Sequence, residues 1–197
     1  MSSKLTQKKT VKPNSGGKGS GGERVRLSEN QRKKNRRLLI LSVAAIIAGL
    51  IMSIGQSLNN EYAAVCAFQE KAMTEAAAVK TASEDLLTSK NAETIADSEA
   101  LKSLKDAAER MSDVKGVSEL HTLIEEISSA VSLLPEEAKK GGANLTSEIK
   151  AVSEAVEKTQ TALTVANEGA KAFNLKRRKF YNKLLADTMQ IPEIVTW

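Results

Sequence analysis

The sequence predicts an all-α protein: an N-terminal transmembrane helix followed by an antiparallel, elongated bundle of about four helices. Three observations predict it. Leu38–Ile54 reads LLILSVAAIIAGLIMSI, seventeen residues without a charge. Beyond it, apolar residues recur three and four positions apart, the period of one helix face. The composition is 41% hydrophobic but only 3% aromatic, with Ala prominent, which suits closely approaching helices rather than a thick core.

An apolar helix of about 20 residues crosses a bilayer core, and Leu38–Ile54 lies at the short edge of that range. Counting on to Leu58 lengthens it, so the span is placed at residues 38–58. A buried core helix would need other strongly apolar stretches around it, and there are none. A cleaved signal peptide, with Ser53-Ile54-Gly55 as the small-residue site, would carry a much shorter basic region before it. A lipoprotein reading fails because Cys66 lies beyond the apolar run and follows Val65.

Charge sets the expected orientation. Residues 1–37 carry twelve Lys/Arg against Glu23 and Glu29, a net of +10, while residues 38–197 carry a net of −5. No basic residue follows the span until Lys71. Basic flanks stay cytoplasmic, so the expectation is a single-pass cell-membrane protein with the tail inside and the body, residues 59–197, outside. The Gly- and Lys-rich tail, residues 1–37, has too little apolar surface to offset chain entropy and is expected to be disordered. Its cluster Arg32, Lys33, Lys34, Arg36 and Arg37 abuts the span and suits anionic lipid. No aromatic residue interleaves there to stack on bases, so nucleic acid is not the expected partner.

The body divides into four helical stretches. Leu58–Leu87 has no Gly or Pro and carries Tyr62, Val65, Ala72, Ala76, Val79 and Leu86 on one face, interrupted at Gln69 and Ser83. Ile95, Leu101, Leu104, Ala108 and Met111 form a second stripe, with Gly116 as its candidate C-cap. Val117, Leu120, Ile124, Ile127, Val131 and Leu134 form a third, which Pro135 should stop. Residues 135–146, PEEAKKGGANLT, read as a loop, with Thr146 or Ser147 capping the fourth helix. The fourth stripe, Ile149 to Leu184 through Val156, Leu163, Ala170, Phe173, Arg177 and Phe180, keeps a heptad rhythm and predicts one long, coiled-coil-like helix over 149–184. Arg177 at a core-type position is the exception, expected to pack its stem and leave its head in water.

No catalytic constellation is present in the sequence. His121 and Cys66 are each unique and sit in no nucleophile–base motif. A di-iron bundle needs Glu-x-x-His on two helices, but Ser118 stands three residues before His121. Zinc-ligand spacing and phosphate-binding glycine loops are missing. Glu125-Glu126 and Glu136-Glu137 are adjacent residues, which diverge on a helix and read as solvated faces. With one cysteine, no intramolecular disulfide can form; Cys66 reads as a small buried apolar group or as a cross-link between two copies. The expectation is a non-enzyme without metal or cofactor. Lys176, Arg177, Arg178 and Lys179 complement a helix C-terminus. If the fourth helix returns to the membrane, they also offer contact to anionic lipid or an envelope polymer.

The order of parts resembles the LemA family. Ala172-Phe173-Asn174, then Phe180-Tyr181-Asn182, then Ile191-Pro192 are similar to that family's repeated aromatic-Asn pairs followed by an aromatic-Pro. The similarity is confined to this region. The second pair falls one residue late, the Pro several, and the family's basic pair leading into Ile-Pro-Asn-Leu after the span has no counterpart. Leu175-Lys176-Arg177-Arg178 has that character at another place. The resemblance implies a membrane-anchored helical bundle and no particular reaction. The expected function is a binding or scaffolding role at the cell envelope, toward an unidentified protein partner or a second copy. The alternative is a receptor-like ectodomain that signals through the span to a separate cytoplasmic partner.

Overall fold

The computed structural model describes residues 28–197. The expectation of disorder for residues 1–27 lies outside them. Among the described residues all regular structure is helical. The helices are α1 (Glu29–Thr88), α2 (Glu99–Arg110), α3 (Val117–Gly141), α4 (Thr146–Arg177) and α5 (Phe180–Thr188), with 3-10 turns at Ala92–Ile95 and Met111–Asp113. The chain comprises two compact units, one ending at Ala45 and the other Ile46–Trp197.

In the first unit, α1 begins at Glu29, so the boundary of the tail moves back from Arg37. The cause is a capping box. Ser28 Oγ accepts from the Gln31 N–H at 3.3 Å, and Gln31 Oε1 accepts from the Ser28 N–H at 3.1 Å. Two otherwise orphaned donors are satisfied reciprocally. Glu29 adds an acidic first turn and pairs with Lys33 at 3.0 Å. Further on, the Ser42 hydroxyl donates to the Leu38 carbonyl at 2.7 Å, which settles a polar group inside the apolar stretch.

The second unit is the bundle. Residues Ile46–Ile54 of α1 are exposed, and burial begins at Gly55 and Leu58. From there Val65, Ala72, Ala76, Val79, Ser83 and Leu86 face inward at helical spacing. α4 runs antiparallel to this part of α1: Glu61 meets Lys176, Tyr62 meets Phe173, and Ser89 meets Glu148. α2 and α3 form an antiparallel pair in the same way, through Ser98–Glu137 and Arg110–Glu126. Two of the glutamates expected to be merely solvated therefore tie helices together.

The main core contains Leu86, Leu104, Leu120, Leu123, Ile124, Ile127, Leu134, Val152 and Leu163. Leu120, Ile124, Ile127 and Val131 are buried together, as their spacing predicts. Removing each fully buried Leu or Ile from water stabilises the fold by about 2 kcal/mol.

Four local expectations are corrected. Gly116 does not end α2, which stops at Arg110; it precedes α3 as an extended N-cap. Pro135 does not stop α3, which continues to Gly141. The apolar stripe continues to the buried Ala138, four residues past Leu134, and packing overrides the lost hydrogen bond. The stop is Gly142 at φ 70°, a left-handed residue where Gly incurs no Cβ penalty. There the Ala143 N–H reaches the Ala138 carbonyl at 2.9 Å, closing a Schellman turn. Neither Thr146 nor Ser147 caps α4; Leu145 holds that position because its side chain is fully buried. The fourth correction, the break between α4 and α5, builds the candidate site.

Candidate functional site

The stripe predicted for 149–184 leaves the core at Phe173. Phe180 and Leu184, which continue its rhythm, are exposed. α4 ends at Arg177, and Lys179 is extended at φ −62°, ψ 139° before α5 begins. The freed Lys176 carbonyl accepts from Asn182 Nδ2 at 2.8 Å, and this bond across the break holds the two helices together.

The break lets a second, smaller core form. Leu58 and Val65 from α1, Ala170 and Phe173 from α4, Ala186 from α5, and Ile191 and Ile194 beyond it pack together, with Tyr62 at the rim. The Tyr62 and Phe173 rings lie 5.7 Å apart, tilted. A hydrogen bond with Cys66, together with burial, holds the Tyr62 phenol above its ordinary range.

Residues 189–197 then run back along α4 without regular structure, held by side chains that grip the main chain. Asn174 Nδ2 donates to the Ile194 carbonyl at 2.7 Å, and its Oδ1 accepts from the Ile194 N–H at 3.0 Å. Asn167 does the same for Trp197, at 2.7 and 3.2 Å. The two asparagines are two helical turns apart, about 10 Å. Three extended residues cover about the same distance, so the spacings match. The Trp197 ring lies 5.9 Å from that of His121, which also faces Glu125 at 3.6 Å. The single histidine is thus a packing partner.

The sequence-predicted basic residues divide into two kinds. Arg32, Lys33, Lys34, Arg36 and Arg37 lie exposed on the first turns of α1. Lys176, Arg177 and Arg178 are engaged by acids. Lys176 pairs with Glu61. Arg177 is corrected most: its head is not in water, and its side chain is only 13% exposed. Its Nε donates to the Ile191 carbonyl at 2.9 Å and one terminal nitrogen to Asp187 at 3.0 Å, while the other faces Glu193 at 3.6 Å. Arg178 makes two contacts of 3.2 Å with Glu193, which hold that carboxyl below its usual range. Lys179 is exposed, without an ion pair among the described residues.

A groove of about 890 Å³ lies beside the second core, lined by Tyr62, Cys66, Met73, Lys115, Glu119 and Val195 among others. Among the described residues no cluster of His, Cys, Asp or Glu has metal-holding geometry. What this end of the bundle offers is surface: Phe180, Tyr181 and Leu184 project from α5 beside a set of internally satisfied charges. The aromatic-Asn repeats signal the grip at Asn174, but the sequence carries no signal for the grip at Asn167, which follows Ala166. Comparison with protein-family models, curated proteins and solved structures finds no match.

Proposed function

We propose that this chain is a single-pass membrane protein whose helical bundle serves a non-catalytic binding or scaffolding role at the cell envelope. The observation that carries the proposal is the uncharged helical surface Leu38–Ile54, whose large side chains are exposed. α1 is the one helix, among the described residues, long and apolar enough to cross a membrane. Exposing so many large apolar side chains to water would be costly, and a bilayer removes that cost. The basic residues before the stretch and the acidic balance after it favour a cytoplasmic tail and an extracytoplasmic bundle. The absence of a nucleophile–base pair in the sequence favours binding over catalysis, and the LemA-like residues at the second core fit the same reading.

Topology is tested in intact cells with single cysteines at Ser20, Ser112 or Thr146 in a Cys66→Ala background, labelled with a membrane-impermeant thiol reagent. Labelling at Ser112 and Thr146 but not Ser20 is expected. Labelling at Ser20 alone would place the bundle in the cytoplasm and sink the envelope role. The alternative is a receptor-like ectodomain that signals through the span to a separate cytoplasmic partner. Deleting residues 2–30 separates the two: a sensor loses its output, whereas a scaffold keeps its envelope role.

A further inference from the structure

We infer that α5 is an interfacial anchor, laid on the outer bilayer surface with Phe180, Tyr181 and Leu184 inserted among the lipid headgroups; this rests on the membrane-anchored reading above.

The two aromatic-Asn pairs are used in opposite ways. Phe173 is buried and Asn174 grips the chain. In the second pair Asn182 is equally engaged, but Tyr181 is 74% exposed, and Phe180 beside it 78%. On a helix, positions 180, 181 and 184 fall within an arc of about 100°. The opposite face carries the buried Ala186. α5 therefore has one apolar face on the second core and another turned outward. Aromatic side chains offer about 150–250 Å² of apolar surface each, so water is a poor cover for this face.

Depth identifies what covers that face. The end of α5 touches α1 at Gly55: a Cβ built there would lie 2.8 Å from Met189 Sδ. Gly55 immediately follows the apolar run. Leu38–Ile54 measures about 25 Å as a helix, short of the roughly 30 Å hydrocarbon core, so the hydrocarbon boundary falls a few residues beyond Ile54. A group packed on Gly55 lies at that boundary. This is the level at which aromatic rings concentrate and basic side chains reach headgroups. Lys179, just before α5, and Lys183, on it, are exposed to do so. The acids nearby do not oppose them, because Asp187 and Glu193 are occupied by Arg177 and Arg178.

The test uses the full chain with Phe180→Trp in a Trp197→Phe background, reconstituted into phosphatidylcholine vesicles containing phosphatidylglycerol. Flotation first establishes membrane association. The expected result is a blue-shifted emission, lost when the lipids carry bromine near the headgroup end of the acyl chains, and shielded from aqueous acrylamide. Flotation with acrylamide access and no bromolipid quenching would overturn the anchor while leaving the span in place. Shielding from both quenchers would overturn it in favour of a protein cover such as a second copy. Failure to float would remove the membrane reading and the anchor together. Tyr181→Trp should behave as Phe180→Trp does.

Discussion

Asn174 shows how much one side chain can determine here. Its carboxamide has the same donor–acceptor pair as a peptide group, and it presents both to Ile194 from within the second core. Asn174→Ala would leave the Ile194 N–H and carbonyl unpaired, where each unsatisfied buried group costs about 1–3 kcal/mol. The expected loss is about 2 kcal/mol in chemical denaturation, with Trp197 emission shifting before the helical signal because the segment it anchors is released first. Loss of both signals together would mean that the segment is not a separable layer. Arg177 works on the same scale. A cation in a core-type position is tolerable only when desolvation is offset by partners, and Asp187, Glu193 and the Ile191 carbonyl provide them.

At the scale of elements, Pro135 is the exposed exception to an otherwise regular α3. It lacks the N–H that would reach the Val131 carbonyl, and a proline inside a helix costs about 3 kcal/mol relative to alanine. Pro135→Ala is expected to stabilise the bundle by about 2 kcal/mol, part of the gain being lost to a freer unfolded chain. A lower midpoint in thermal unfolding would show that Pro135 contributes to the native packing of α3.

The same scale explains which features are legible in the sequence. Stripes with large residues, such as Leu120 to Leu134, are legible because period and burial coincide. The capping box Ser28–Gln31 is obscured by the composition of the tail around it. The break after Arg177 is invisible because Phe180 and Leu184 keep the three-four rhythm across it. Periodicity reports which residues share a helical face, and it cannot tell a face turned to a core from one turned elsewhere. The basic run at 176–179 is legible as charge but not as structure, since its acidic partners Glu61, Asp187 and Glu193 lie on other helices or in an irregular segment.

For the whole molecule, burial begins at Gly55, and none of the buried side chains precedes it among the described residues. A chain of residues 55–197 should therefore fold with the helicity of the bundle and unfold at the same denaturant midpoint as the full protein in detergent. A large drop in midpoint would mean that the apolar stretch contributes to the fold as well as to location. The second core is the more vulnerable part. It holds seven buried residues against the larger set above it, and it depends on α5 and the irregular segment staying in place.

The pairing of that segment with Asn167 and Asn174 has a consequence for which changes it tolerates. Carboxamides recognise the main chain and are indifferent to what projects from it. Val195 and Thr196, which lie between the two gripped residues and are exposed, can be exchanged freely. A single residue inserted between Ile194 and Trp197 would put both grips out of step at once, because two turns of α4 can match only three extended residues. Between the two grips, distance along the chain is constrained and the identity of the two exposed side chains is not, so one inserted glycine should do more damage than replacing both of them.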